Sequence, residues 1–565
     1  MPSRRTDVIT PTHHTAGSGA SPTGTGPGAP RAATMLTRTA AAAAATVLAA
    51  AVVVVPGVFP TAPVAQAAPT AQPAPAWGSC PESVTSPGAV CTTVTVPRDY
   101  SQPGGATIDV TVSKLPARDP DARRGVLFGN AGGPGGDSLT YYDDDEVFTW
   151  PEELRDEWDL IGVQPRWLTH AGPLQCAPLD STDVVMAATN AGGAHRAACE
   201  AASGDDWRHL TTENTARDWE QVRQALGEER ISIHGVSYGT LLGSTYATLF
   251  PQHTDKMVLD SGANPDWMWN QVLLEQNEPY KQRVHAMFDW IAANDAVYGL
   301  GDTPLKVYQR WTEQVLAETG TTATLAPPPA RVGDVPAEWQ ALAQLWIDGT
   351  TVTGPARVQL EGLARQLATP GAVQAASPTL AATRGLAPQS STWPVLAESL
   401  RDGTPVGAGA DPAMPELPEE LIVSVNMQSA VLCNENRVAP RPLDYPGFLW
   451  TQFVTGDMFD AIGLMFSSGA ACAGAPPVTT PVEVSGADLQ TAPLLINSVG
   501  DPQTPLHGAR ELADRMGAHM ITVAGGDHGQ VAKGNTVVDD AVVEYLRTGH
   551  TAVTHAPAPP LPAAR

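Results

Sequence analysis

Apolar and polar residues alternate over positions 91–96 and again over 107–115, the period of strands with one face buried. Pro97 and Gln102-Pro-Gly-Gly105 punctuate the join, so the pattern predicts an antiparallel edge. The alternation then gives way to short continuous apolar runs, Gly125-Val-Leu-Phe128, Trp158-Asp-Leu-Ile-Gly-Val163, Ile231-Ser-Ile233 and Met257-Val-Leu259. Helical stretches such as 214–226 separate them, which is the pattern of a parallel sheet covered on both faces. The same texture returns late, in Ala492-Pro-Leu-Leu-Ile496, a helix over 508–516, the strand Met520-Ile-Thr-Val523 and a closing helix over 537–547. Between them, over 265–426, the chain carries helix-like stretches rich in Ala, Gln, Leu and Trp, with joints at Pro327-Pro-Pro329 and Asp411-Pro-Ala-Met-Pro415. The expected fold class is therefore α/β, a mostly parallel central sheet with helices on both faces and an inserted helical cap. Trp267, Trp269, Trp290 and Trp311 fall in the first half of that cap, either as core packing, the default for each singly, or as a substrate wall.

The expected boundaries are a core over 80–264, the cap over 265–426, a second core segment over 427–549 and a Pro/Ala-rich tail over 550–565. Ahead of these, Met35-Leu-Thr-Arg38 leads into an apolar stretch over 40–55 and then Ala65-Gln-Ala67, the order of a secretory signal with a small-x-small cleavage site. That apolar stretch is shorter than the roughly 20 residues a spanning helix needs. Residues 1–67 are read as an N-terminal extension and signal peptide with the true start at Met35, and 68–79 as an Ala/Pro linker or short pro-segment. The expected location is secreted and extracellular, with no membrane contact after cleavage.

A 565-residue chain with 42% apolar residues can bury a large core, so disorder is excluded. Lys and Arg number 33 against 59 Asp and Glu, and the resulting charge of −26 repels phosphate backbones, which argues against nucleic acid as a partner. Six cysteines in an exported chain imply disulfides; neighbour pairing would join Cys80 to Cys91, Cys176 to Cys199 and Cys433 to Cys472. Zinc is the rival reading, but no C-x-x-C spacing occurs, so neither a metal nor any other cofactor is expected. A monomer is expected.

The chemistry concentrates in Ile231-Ser-Ile-His-Gly235-Val-Ser237-Tyr-Gly239-Thr240, a strand running into G-x-S-x-G and then a helix. A sharp turn there lifts the serine off the strand end, and the flanking glycines permit close strand–helix approach; a structural Gly-rich turn is the bland alternative. Asn130-Ala-Gly-Gly-Pro-Gly-Gly136 follows an apolar strand and lacks phosphate-loop spacing, so it reads as an oxyanion loop, with the N–H groups of Gly133 and Tyr238 as donors. A serine nucleophile needs a histidine to take its proton and an acid to orient that histidine. Val499-Gly-Asp501-Pro-Gln-Thr-Pro505 and Gly525-Gly-Asp-His528-Gly529 each follow a strand, where a parallel sheet delivers functional groups. Asp501 and His528 are the expected partners of Ser237. Asp260 is the rival acid; His234 reads as buried support, and His507 and His519 as surface or packing residues.

Together, Asn130-Ala-Gly-Gly-Pro-Gly-Gly136, Asn214-Thr-Ala-Arg-Asp218, the Ser237 elbow, Leu259-Asp260, Asp501-Pro-Gln-Thr-Pro505 and Asp527-His-Gly529 resemble the secreted tripeptidyl aminopeptidases, in the prolyl-aminopeptidase branch of the α/β-hydrolases. The resemblance runs over about 80–549, weakest across the cap. It implies the α/β-hydrolase fold and a serine exopeptidase that takes peptide or protein N-termini as substrate and releases short peptides, tripeptides among them, through an acyl-enzyme. It also implies an acid just after a cysteine, matched by Cys433-Asn-Glu435, so that Glu435 would bind the substrate's α-ammonium; an ordinary polar residue beside a disulfide is the equal alternative. The chain departs from the family at Gln164-Pro-Arg-Trp167, where Asp-Pro-Arg-Gly is usual, and at Ala131 and Asp137. A secreted esterase or lipase with the same triad, or an inactive binding protein of this fold, are the competing functions.

Overall fold

The computed structural model describes residues 75–144, 148–179, 184–406 and 418–565. The signal peptide, most of the 68–79 linker and the joint at Asp411–Pro415 lie outside the described residues.

Nine strands among the described residues form one sheet in the order β1-β2-β4-β3-β5-β6-β7-β8-β9. They are β1 (Val90–Pro97), β2 (Thr107–Leu115), β3 (Val126–Asn130), β4 (Asp159–Val163), β5 (Ile231–Val236), β6 (Thr254–Asp260), β7 (Leu494–Ser498), β8 (His519–Val523) and β9 (His555–Ala556). β1 and β2 pair antiparallel, β2 meets β4 antiparallel, and every later pairing is parallel. Polar-out alternation survives only at the edge, where β1 shows Thr93 and Thr95 to solvent; β3 is buried at all five positions and β7 likewise. This is the expected difference between an antiparallel edge and strands covered on both faces.

Each face has its own core. One carries Val112, Phe128, Ile233 and Leu259 against Trp219, Leu242 and Leu512. The other carries Leu127, Leu160, Val258 and Ile496 against Trp158, Val542 and Tyr545. The helices Thr212–Leu226, Tyr238–Leu249, Leu506–Met516 and Thr536–Thr548 supply these contacts.

Between β6 and β7 no strand occurs among the described residues. A third core joins Val284, Phe288, Trp290, Trp311, Trp393 and Leu396, with Phe459 from a later helix. Trp290 and Trp311 are thus core packing. The helix Glu419–Asn434 runs across the boundary expected at 426 and buries Val423, Met427 and Val431 in the sheet's core; two more helices, Tyr445–Phe453 and Met458–Ser467, precede β7. The 550–565 segment also differs from expectation. His555 and Ala556 pair with Thr522 and Val523 as β9, a two-residue edge too short and too close to Pro557 to register as alternation.

Three disulfides join Cys80–Cys91, Cys176–Cys199 and Cys433–Cys472, the neighbour pairing. Among the described residues no helix is long and apolar enough to cross a membrane.

Candidate active site

β5 ends on Val236, and the chain turns at Ser237 with φ 58° and ψ −122°, a left-handed φ that costs a non-glycine residue strain of order 1–3 kcal/mol. The turn is held from both sides. The Ser237 N–H donates to the Asp260 carbonyl at 3.0 Å, and a Cβ at Gly235 would lie 2.2 Å from the Gly239 carbonyl oxygen. One at Gly239 would lie 2.6 Å from the Asn130 carbonyl oxygen, so both glycines are required by close backbone approach. The helix Tyr238–Leu249 then packs onto the sheet through Gly243, whose Cβ would touch Ile233 at 3.0 Å.

The loop after β3 presses on this turn. A Cβ at Gly132 would sit 2.5 Å from the Val236 carbonyl oxygen and 2.9 Å from the Ser237 Cβ. Asn130 shapes the loop, its Oδ1 accepting from the Gly132 N–H at 3.0 Å and its Nδ2 donating to Ser138 Oγ at 3.1 Å. Gln164 secures the far end by accepting from the Ser138 N–H and donating to the Thr169 carbonyl, so this departure from the family pattern is absorbed locally. Arg166 beside it is fully buried in a two-point ion pair with Asp218. With the Gly132 N–H taken, the N–H groups of Gly133 and Tyr238 are left without an acceptor among the described residues, beside Ser237. Unpaired N–H groups there are what a developing oxyanion needs.

Asp501 follows β7 and His528 follows β8. Both carboxylate oxygens of Asp501 lie 3.0 Å from His528 Nδ1. Asp501 also accepts from the N–H groups of Gln503 and Thr504 and from Thr504 Oγ1. Burial alone would raise its pKa, but the facing imidazole and these donors hold it below the usual carboxylate range. Asp260 does not reach the imidazole; its Oδ2 accepts from the N–H groups of Gln530 and Val531 and so fixes the backbone just after His528. Ser237 Oγ and His528 Nε2 carry no hydrogen bond among the described residues, a loose arrangement common before substrate binds.

Ser237 opens onto a cavity of about 520 Å³ whose wall includes Gly133, Tyr238, Trp269, Tyr280, Gln428 and Thr504. Trp269 is therefore both core and wall. Glu435 is not brought to this wall. It is buried, with one carboxylate oxygen accepting from the Thr212 N–H at 2.5 Å and the other from Thr212 Oγ1 at 2.6 Å, at the first turn of the helix Thr212–Leu226. Burial pushes its pKa up to about 7. His234 is buried, meets the Tyr141 hydroxyl at 2.7 Å and is pushed down to about 3 by burial; His507 is exposed, and His519 meets the Val553 carbonyl. Cys176, His195 and Cys199 cluster as metal ligands can, but the two sulfurs are bonded to each other.

Sequence reasoning missed a belt that ties the cap to the His528 loop. Arg283 pairs with Asp527, which also accepts from the N–H and Oγ of Ser390. The Pro388 carbonyl accepts from the His528 N–H, while Gln389 and the half-buried Lys533 donate to the His528 carbonyl. Arg283 and Asp527 stand 244 residues apart, and nothing local marks either as a partner.

Fold and site together define an α/β-hydrolase, and residues 186–338 match the alpha/beta hydrolase fold family. Residues 460–556 match the family described as TAP-like protein. The chain is 30% identical over 500 residues to the tripeptidyl aminopeptidase of Streptomyces lividans, covering 84% of each. It is 25% identical over 517 residues to serine protease Hip1 of Mycobacterium tuberculosis, covering 84% of this chain and 89% of that one. It is 26% identical over 516 residues to carboxylesterase B of the same species, at 84% and 88% coverage. The chain belongs to the tripeptidyl aminopeptidase-like family of α/β-hydrolases and is a serine hydrolase.

Proposed function

We propose that the protein is a secreted exopeptidase that releases short peptides, tripeptides in the first instance, from free N-termini through an acyl-enzyme on Ser237. The observation that carries the chemistry is the Asp501–His528 pair, delivered by the loops after β7 and β8 to the sheet end where Ser237 stands at φ 58°. The peptide preference rests on the Streptomyces relative's activity.

In this reading Asp501 holds His528 in the tautomer with the proton on Nδ1, leaving Nε2 as the base. His528 takes the Ser237 proton as Oγ attacks the substrate carbonyl. The N–H groups of Gly133 and Tyr238 hold the oxyanion, the largest single stabilisation in such sites. His528 then protonates the departing amine, and water repeats the cycle on the ester. Secretion is supported by the three disulfides, which persist in oxidising compartments.

A second reading, an esterase with the same groups, is favoured by one observation: among the described residues no Asp or Glu lines the cavity to meet an α-ammonium. The two readings separate when purified protein is offered peptides with free and N-acetylated ends alongside simple aryl esters. Tripeptides released from free ends alone support the exopeptidase; ester turnover without peptide release supports the second reading. Failure of a fluorophosphonate to modify Ser237 would replace both with a binding protein.

A further inference from the structure

Although the chain carries a charge of −26, the cavity beside Ser237 has, among the described residues, no Asp or Glu in its wall and two arginines, Arg196 and Arg384. The two differ in how far they are already committed. Arg196 donates to Asn434 Oδ1 and to the Pro476 carbonyl and lies over Trp207. Arg384, in the helix Pro378–Leu386, lies over the Tyr280 ring at 4.2 Å and, among the described residues, makes one long hydrogen bond, 3.4 Å to the Phe459 carbonyl. It forms no ion pair among the described residues. The nearest carboxylates, Asp457 and Asp460, face Lys281 at 3.7 and 2.8 Å. Burial pulls its pKa below that of a free guanidinium, the mark of a cation short of counter-charge.

A guanidinium has five N–H donors in a planar fork that fits a carboxylate at two points, and here most of them are unspent. Arg384 also borders a second, smaller cavity of about 290 Å³ lined by Leu380, Ala381, Met458 and Phe459. Arg384 is therefore shared by the walls of both cavities, as are Ile462 and Met465, and the second offers an apolar recess.

We infer that Arg384 binds a carboxylate of the substrate, so that the cavity selects peptides carrying an anion, with an apolar side chain seated in the adjoining recess. This rests on the peptidase reading for its substrate class, and it makes Arg384 a specificity residue without a part in bond cleavage. Two sources offer that carboxylate, the free C-terminus of a short peptide and an acidic side chain within it.

Binding to the Ser237→Ala protein tests this apart from turnover. One pair of fluorescent hexapeptides ends in leucine as the free acid or the amide; a second pair is amidated and carries Asp or Asn at the fourth residue. The expected result is about tenfold tighter binding of the acid in one pair, as a charge-assisted two-point contact provides. Arg384→Gln should remove that preference with amide binding unchanged, and Arg384→Lys should restore part of it. The pair that discriminates names the source. Equal binding of acid and neutral forms in both pairs, or a preference that survives Arg384→Gln, overturns the inference. Absence of peptide turnover by the unsubstituted protein, with the binding preference intact, would instead overturn the peptidase reading alone.

Discussion

Single groups decide the chemistry at Ser237, and two carboxylates compete for the same histidine in the sequence. The geometry separates them: Asp501 faces Nδ1 of His528, whereas Asp260 faces the backbone beyond it. Asp501→Asn should therefore lower kcat by about 10⁴-fold through the wrong tautomer, as in other serine triads. Asp260→Asn should act mainly on stability, through the Gln530 and Val531 N–H groups it holds, and steady-state kinetics beside denaturant titration distinguish the two. Glu435 gives a pH prediction. Its folded pKa, about 7, lies above the value of an unfolded glutamate near 4.5, so the folded state holds the extra proton. Stability from this group is present below about 4.5, declines as pH rises, and is gone above about 7. Thermal unfolding of Glu435→Gln should thus show a flatter profile than the parent between pH 5 and 8. The same variant should leave discrimination between free and acetylated N-termini unchanged, because Thr212 occupies both oxygens.

At the scale of strands and helices, legibility followed local pattern. The eight longer strands and the helices flanking them could be read from alternation, apolar runs and turn residues, because those signals are set within a few residues. So could the Ser237 turn, where Gly235 and Gly239 are required by backbone approach under 3 Å. Gly239→Ala should push the Asn130 loop off the turn and lower kcat by about 10²-fold or more, the cost of losing one oxyanion donor. What could not be read depends on distant partners. The helix Glu419–Asn434 straddles the boundary expected at 426, so that Val423, on the side read as cap, packs in the sheet's core together with Met427, and β9 pairs through two residues only. The Arg283–Asp527 pair joins a cap helix to the His528 loop, and removing one member leaves a buried charge alone. Asp527→Asn should cost about 3 kcal/mol or more of stability by chemical denaturation, with kcat falling as the loop loosens.

For the molecule as a whole, the acidic surface and the arginine-lined cavity have opposite character, and the sequence total of −26 conceals the second. Composition argues against nucleic acid but could not show where the cations stand. The three disulfides close short loops, and each should contribute about 2–4 kcal/mol by restricting the unfolded chain. Reduction should consequently lower the unfolding temperature by many degrees, as scanning calorimetry with and without reductant would record. The central claim is that this fold carries a peptidyl group on Ser237. Its most direct measurement is mass analysis of the protein quenched during turnover of a tripeptide ester with a free N-terminus, followed by peptide mapping. A tripeptidyl mass added to the peptide containing Ser237, absent in Ser237→Ala and absent with the N-acetylated substrate, is the predicted result; an adduct on another residue, or turnover with Ser237 replaced, would contradict it.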